Sequence, residues 1–107
     1  MNLSDKEIEI ILFSTNVLER YKDDFLPADK IKMVSSYLNE SEFTLKKKHS
    51  VSDRNSIAAM HLACSAVAMI IAGDLQVDIF TKNRCLNYAD SIFLLIAKLQ
   101  NALDSSF

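Results

Sequence analysis

The sequence is poor in the residues that make turns. Its 107 residues include one glycine, one proline and no tryptophan. A sheet protein with many hairpins needs far more turn chemistry, so this composition argues against that class of fold. Half of the residues are hydrophobic, which is enough to bury one core in a chain of this length. The composition therefore predicts an all-α fold, with residues 1–107 forming a single helical domain.

An excess of basic charge is also missing. Twelve lysines and arginines stand against 14 aspartates and glutamates, which gives a net charge of −2. Proteins that bind nucleic acid through a broad surface use basic side chains to neutralise phosphates. We therefore expect no direct nucleic-acid partner.

Cysteines and targeting segments are scarce as well. Cys64 and Cys85 both occupy apolar helical positions, and the first ten residues lack a basic segment followed by an apolar run. These features predict a cytoplasmic protein with free thiols. The apolar run at residues 57–72 contains His61 and Ser65 and is shorter than a membrane span. We expect it to be a buried helix and expect no membrane partner.

Capping residues mark the first three helices. Ser4 with Glu7 three residues later is a capping box, and the pattern that follows predicts a helix to about Asp24. Pro27 suits the first turn of a second helix. Gly73 is typical of the residue that follows a helix C-terminus, so it should end the third helix.

The remaining boundaries are less sharply marked. Residues 46–55 are mostly polar and predict a loop, with Ser50 or Ser52 as the N-cap of the third helix. Residues 74–80 predict either a short extended link or one helical turn, which would add a short fifth helix. Thr81 should cap the last helix. That helix has apolar residues spaced 4, 3, 4, 3 and 4 apart, typical of a bundle seam: Cys85, Ala89, Ile92, Ile96, Leu99 and Leu103. The sequence thus predicts a compact bundle of four main helices.

The third helix has apolar residues on two faces. Large residues form the first face: Ile57, Met60, Cys64, Val67 and Ile71. Small residues form the second: Ala58, Ser65, Ala68 and Ala72. Two apolar faces imply neighbours on both, so this helix should lie in the middle of the bundle. The small face permits close approach of another helix, from this chain or from a second copy. The sequence is therefore also compatible with a homodimer.

Arg54, Asn55 and His61 form the one motif with catalytic potential. Their spacing resembles the Arg-x4-6-His signature of HEPN domains, which are small all-helical ribonucleases. The resemblance implies that Arg54 and His61 bind the scissile phosphate and move protons without a metal. Imidazole titrates near neutral pH and guanidinium grips phosphate, so the chemistry is sound. The alternative is a solvated arginine and a histidine at the edge of the core.

Metal-ligating residue types occur at His49, His61, Cys64 and Cys85. No Cys-x-x-Cys or His-x3-His pair anchors a site among them, and cysteines in apolar seams usually behave as small hydrophobic residues. We therefore expect no metal and no cofactor.

The first helix carries the predicted partner-binding surface on the side opposite its core residues. That surface comprises Glu9, Leu12, Phe13, Asn16, Glu19 and Asp23. Residues 1–45 hold nine acidic and five basic residues, a net charge of −4. Apolar side chains in an acidic field suit a basic protein partner, because the charges steer the encounter and the aromatic ring anchors it. The alternative is that Leu12 and Phe13 pack under a loop or the C-terminal tail.

In size, helical character, acidity and lack of catalytic motifs, the whole chain resembles small bacterial immunity proteins of colicin and contact-dependent growth inhibition systems. The resemblance implies a non-enzymatic inhibitor that covers the basic active site of a nuclease toxin by mimicking a polyanion. A HEPN-like ribonuclease that uses Arg54 and His61 is the first alternative. A helical adaptor or secretion chaperone is the second.

Overall fold

The computed structural model describes residues 1–28, 30–32, 34–39 and 50–105. The helices are α1 (Asp5–Phe25), α2 (the helical residues 28, 30–32 and 34–39), α3 (Arg54–Ala72), α4 (Ile79–Leu86) and α5 (Ala89–Ser105). The predicted all-α bundle is confirmed, and its short fifth helix, α4, comes mainly from the start of the predicted last helix rather than from residues 74–80.

The start of α1 is fixed by the predicted capping box. The Ser4 hydroxyl accepts a hydrogen bond from the Glu7 backbone N–H at 3.1 Å, and the Glu7 carboxylate accepts one from the Ser4 N–H at 2.9 Å. The helix ends at Phe25, because Leu26 is extended and precedes Pro27, which disfavours helical geometry in the residue before it. The observed helix extends one residue beyond the predicted end.

Helix α3 lies in the middle of the bundle, where it contacts α1, α4 and α5. Four of the five residues predicted for its large face are fully buried or nearly so: Ile57, Met60, Cys64 and Val67. Ile71 is half-buried, and Ile70 is buried instead. The central position follows from the apolar character of α3 on more than one side.

The predicted small face of α3 is wrong in detail. Ala58 and Ala72 are exposed, and Ser65 and Ala68 are half-buried. The small residues that the fold buries lie on another side of the helix: Ala59, Ala63 and Ala66. They pack in one cluster with Leu18 of α1 and Leu38 of α2. Among the described residues, this buried small face therefore packs against other helices of the same chain.

Helix α3 is the one helix in the described ranges that is long and apolar enough to cross a membrane, with a mean hydropathy of 1.7. Half of that stretch is buried within the fold. Length and composition of this kind are shared by core helices, and α3 occupies the core position.

Helix α2 packs against the same small-residue cluster. Of its predicted stripe, Leu38 is buried, and Ile31 and Val34 are half-buried. The fourth stripe residue, Leu45, lies outside the described residues, as does His49.

Two predicted N-caps are wrong. Asp53, rather than Ser50 or Ser52, caps α3, because its carboxylate accepts hydrogen bonds from both the backbone N–H and the hydroxyl of Ser56 at 2.9 Å. Ser50 instead forms an isolated antiparallel bridge with Asn2. The C-terminal end of α3 is as predicted, with Gly73 in the left-handed conformation at φ 85°.

The second wrong cap is Thr81. Asp78 caps α4, and Thr81 donates to it from the first turn of that helix. Of the residues 74–80 predicted as a link or a helical turn, residues 74–78 are not helical, whereas residues 79 and 80 begin α4. The predicted last helix is divided by a turn at residues 87 and 88 into α4 and α5.

The seam predicted for the last helix survives this break. Cys85, Ile92 and Leu99 are fully buried, whereas Ile96 and Leu103 are half-buried and pack against the same cluster. Helical spacing thus located the buried residues correctly across two helices.

Candidate protein-binding surfaces

The polar residues of the predicted acidic strip on α1 are exposed, except for Glu19. Glu9, Asn16 and Asp23, spaced seven residues apart, are all exposed. Glu19 is half-buried, and its carboxylate accepts a hydrogen bond from Lys22 at 3.1 Å. Arg20 is also exposed on α1, between Asn16 and Asp23. A basic side chain therefore interrupts the strip that the sequence predicted to be acidic.

Phe13 is not a surface anchor, so that part of the prediction is wrong. Its side chain is only 8% exposed. The ring lies 4.9 Å from the ring of Tyr88 between centroids, and the Arg84 guanidinium lies 5.1 Å from its centroid. Leu12 is half-buried against the same core. Both residues pack, as the alternative held, and the cover over Phe13 comes from the end of α4 and the turn that follows it.

Large apolar side chains are exposed elsewhere, on α4 and α5. The exposed fractions are 71% for Ile79, 66% for Phe80, 44% for Leu86, 54% for Phe93 and 75% for Leu94. Sequence reasoning missed this set. The available signal was position, since Phe93 and Leu94 fall between the seam positions of α5 and cannot face the same side as them.

A groove between α1 and α5 borders the exposed Leu94. Its volume is about 350 Å³, and it is lined by Ser4, Lys6, Glu7, Ile10, Ser91, Leu94, Leu95 and Lys98. We call it the α5 groove. The charges in it are paired: the Lys98 ammonium contacts the Glu7 carboxylate at 2.9 Å, and Lys6 contacts Glu9 at 2.9 Å. The pKa of Glu7 is lowered, because hydrogen bonds from Ser4 and Lys98 outweigh the opposing effect of burial.

A second, smaller pocket lies between α1 and α4. Its volume is about 130 Å³, and it is lined by Phe13, Asn16, Val17, Arg20, Tyr21, Thr81 and Arg84. We call it the arginine pocket. Arg84 lies against two aromatic rings, 5.1 Å from the Phe13 centroid and 5.8 Å from that of Phe80, and Arg20 lies 5.8 Å from the ring of Tyr21. Cations above aromatic faces are held by the ring quadrupole.

Asp78 joins the two sides of the arginine pocket. Its carboxylate accepts hydrogen bonds from the Tyr21 hydroxyl at 2.7 Å and from the Thr81 hydroxyl at 2.8 Å, as well as from the Thr81 backbone N–H at 2.9 Å. These donors, the Tyr21 hydroxyl first among them, hold the pKa of Asp78 well below its usual range. The carboxylate thus positions the residues around the pocket, and its lone pairs are largely occupied.

The residues of the HEPN-like motif occupy the N-terminal half of α3. Arg54 is exposed at the first residue of the helix, and His61 is half-buried two turns later. The Asn55 side chain donates to the Tyr37 hydroxyl at 3.2 Å. A pocket of about 160 Å³ between α2 and α3 is lined by Asn55 and Leu62, among others, but not by Arg54 or His61. A catalytic role for the pair stays a prediction.

Both cysteines are buried and free, as the sequence predicted. Burial raises the pKa of the Cys64 thiol to about 12, with the neighbouring Ser14 hydroxyl opposing this in part, and it raises that of Cys85 to about 11. The nucleophilic thiolate is therefore scarce at neutral pH. Within the described ranges, histidine, cysteine, aspartate and glutamate form no group of three or more able to hold a metal ion.

No protein-family model matches the chain, and no curated protein or solved structure is detectably similar to it.

Proposed function

We propose that this chain is a non-enzymatic binding protein that neutralises a basic protein partner, as an immunity protein does by covering the active site of a nuclease toxin. The observation that carries the proposal is the exposure of Phe93 and Leu94, two adjacent large apolar residues at the start of α5. Isolated apolar residues are common on protein surfaces, but large ones side by side at a groove are typical of a protein-binding site.

The start of α5 suits a basic partner better than the middle of α1. Phe93 and Leu94 are exposed there, and Asp90, which is also exposed, lies one turn before Leu94 on the same side of the helix. Leu94 borders the α5 groove, where Lys6 is paired with the exposed Glu9. Since the glutamates of the groove are paired with lysines, the exposed Asp90 is the carboxylate beside this apolar centre that can steer a basic protein.

The docking surface proposed here therefore differs from the one that the sequence predicted. Phe93 and Leu94 replace the buried Phe13 as apolar anchors, and Asp90 replaces Glu9 and Glu19 as the steering charge. Glu9 and Glu19 both contribute less, because their carboxylates are engaged by Lys6 and Lys22.

Titration of the purified chain into the protein encoded by the neighbouring reading frame tests the proposal. We expect stoichiometric binding and loss of a nuclease activity of that protein. Leu94→Ala should weaken binding about tenfold or more, mainly through faster dissociation, because truncation of a buried anchor typically acts on the dissociation rate. Asp90→Lys should instead slow association at low salt.

Asp104→Lys is the matched control for Asp90→Lys. It makes the same change of charge on the same helix, about 21 Å along the axis at the usual helical rise. It should leave the association rate nearly unchanged. Equal effects of the two variants would mean that net charge alone governs the encounter and would remove α5 from the interface.

An assay for ribonuclease activity separates this proposal from its first alternative. If the purified chain degrades RNA, and Arg54→Ala or His61→Ala abolishes the degradation, the HEPN-like function replaces the proposed one. We expect no such activity, and we expect His61→Ala to leave neutralisation of the partner intact.

A further inference from the structure

We propose that the arginine pocket between α1 and α4 binds the carboxylate of an acidic side chain, presented by a peptide segment in which aspartate or glutamate stands beside apolar residues. This inference does not rest on the proposed function, because it concerns a different surface and a ligand of the opposite charge.

The two guanidinium groups of the pocket are available to a ligand. Arg20 and Arg84 are both exposed, and among the residues that the structure describes neither forms an ion pair or a hydrogen bond. Both guanidinium groups lie near aromatic rings, which do not use their N–H donors, and the charge of Arg20 also acts on the Asp78 carboxylate at the pocket. Two guanidinium groups on one pocket match the paired oxygens of a carboxylate.

The size of the pocket limits what enters it. A volume of about 130 Å³ is well below the range of sites that enclose a whole small molecule or cofactor. The floor is apolar, from Phe13 and Val17, and the rim is polar, with the Asn16 amide beside the two arginines. Such a pocket holds one side chain and leaves the rest of the ligand outside.

The surroundings of the pocket favour a peptide over a polyanion. Phe80 is 66% exposed and lies against Arg84, and its neighbour Ile79 is 71% exposed, so apolar side chains next to the bound carboxylate have a surface to cover. Asp78 at the pocket and the exposed Asp23 and Asp24 nearby on α1 repel a continuous run of phosphates. A single carboxylate between apolar residues brings only one negative charge to the pocket, where the two positive charges of Arg20 and Arg84 exceed that of Asp78.

Side-chain NMR of the arginines tests the proposal in the intact chain. The sequence contains three arginines, Arg20, Arg54 and Arg84, so three Nε–Hε signals are expected. The probe is a terminally blocked peptide that alternates glutamate with leucine and phenylalanine. We expect saturable shifts of the Arg20 and Arg84 signals and an unchanged Arg54 signal. The same peptide with glutamine in place of glutamate should bind at least about tenfold more weakly, because charge-assisted hydrogen bonds are lost.

Variants that each remove one positive charge, inside or outside the pocket, show whether the pocket is the peptide-binding site. Arg84→Gln should weaken peptide binding about tenfold or more, whereas Arg54→Gln, which makes the same change of charge on α3, should leave it unchanged. Arg20→Gln is the second pocket variant and keeps the test valid if Arg84→Gln loosens the packing around Phe13. Circular dichroism of each variant checks the fold.

Four outcomes overturn the proposal. The first is equal binding of the acidic and neutral peptides. The second is a response of Arg20 and Arg84 to inorganic phosphate or a short oligonucleotide but not to the acidic peptide. The third is association of the chain with itself, measured by sedimentation, that is lost in Arg84→Gln, because the occupant would then be a second copy. The fourth is unchanged peptide affinity in both pocket variants.

Discussion

The α5 groove and the arginine pocket both border α1, but their basic side chains have different kinds of neighbours. In the α5 groove, Lys98 and Lys6 each contact a glutamate at 2.9 Å. In the arginine pocket, Arg20 and Arg84 rest on aromatic rings, and neither pairs with a carboxylate in the part of the chain that the structure describes. The lysine charges of the groove are therefore neutralised by glutamates of the fold. The arginines of the pocket keep N–H donors that a ligand can use.

This difference follows from the chemistry of the two cations. Lysine is a strongly hydrated point charge that gains most from a nearby carboxylate, whereas arginine is planar and more weakly hydrated, so it can lie on a ring and keep its N–H groups exposed. A surface built from lysine–glutamate pairs adds little binding chemistry of its own. In the α5 groove the docking contribution comes from the exposed Leu94, and in the arginine pocket it comes from the cations.

The largest effect that we expect is a loss of stability on truncation of Phe13, a buried ring that lines the arginine pocket. Phe13→Ala should lower the free energy of unfolding by about 3 kcal/mol, because it removes a buried ring and leaves a cavity against Tyr88. Chemical denaturation followed by circular dichroism measures it.

Phe80→Ala is the matched control for that measurement. Its ring belongs to the same pocket surroundings but is 66% exposed, so we expect a change within about 0.5 kcal/mol. Equal losses of stability in the two variants would show that Phe80 is buried under residues of this chain and would remove it from the proposed peptide surface.

A second prediction concerns the pH dependence of the pocket. The folded state lowers the pKa of Asp78, chiefly through the Tyr21 hydroxyl and then through Thr81. The ionised carboxylate therefore stabilises the fold fully above the unfolded pKa of about 4, and this contribution is lost as pH falls from there toward the folded pKa. We expect Asp78→Asn to be less stable than the natural protein at pH 7, with a difference that shrinks as pH falls below about 4.

Asparagine at position 78 keeps an acceptor for the Thr81 backbone N–H, but it puts an NH2 donor where the carboxylate accepts hydrogen bonds from the Tyr21 and Thr81 hydroxyls. Thermal unfolding of both proteins from pH 7 to pH 2.5 measures the difference. A difference independent of pH would mean that the carboxylate is stabilised equally in the unfolded chain, and the link between α1 and α4 would then not depend on its charge.

Local chemistry and helical spacing made most of the fold predictable. The Ser4–Glu7 capping box and Gly73 fixed the ends of two helices, since each satisfies backbone groups within a few residues. Spacing identified Cys85, Ile92 and Leu99 as buried even across a break in the helix. The break itself was missed, because a two-residue turn at residues 87 and 88 leaves the apolar spacing nearly unchanged.

The site was predictable only where it depended on α1 alone. The exposure of Glu9, Asn16 and Asp23 follows from the helical period. The burial of Phe13 does not, because it is caused by Tyr88 and Arg84, about 70 residues further along the chain. The wrong caps have a local cause: serine, threonine and aspartate are all good N-caps, and the structure uses the aspartates at both positions, Asp53 and Asp78.

A third prediction measures how much the paired charges of the α5 groove contribute to stability. A double-mutant cycle with Glu7→Gln and Lys98→Met should give a coupling energy of about 0.5 kcal/mol, since the pair joins α1 to α5 but is partly exposed. The coupling should fall at high salt. A coupling energy near zero at low salt would show that the Glu7–Lys98 ion pair does not persist in solution.

The smallest effect that we expect is the loss of stability in Arg20→Gln, and it bears most directly on the difference between the two surfaces. If the arginines of the pocket served the fold as Lys98 does, then removal of one charge would cost a comparable amount. Arg20 instead lies 5.8 Å from the ring of Tyr21, its neighbour in sequence, and is exposed, so we expect a change of no more than about 0.5 kcal/mol, the lower limit for exposed cation–π contacts. Denaturant unfolding of Arg20→Gln beside Lys98→Met makes the comparison under identical conditions. A loss in Arg20→Gln larger than that in Lys98→Met would assign Arg20 to the framework between α1 and α4, and the pocket would then have only Arg84 to offer a ligand. A negligible loss would show that the stability of the fold does not depend on the Arg20 guanidinium, which then remains available to a ligand.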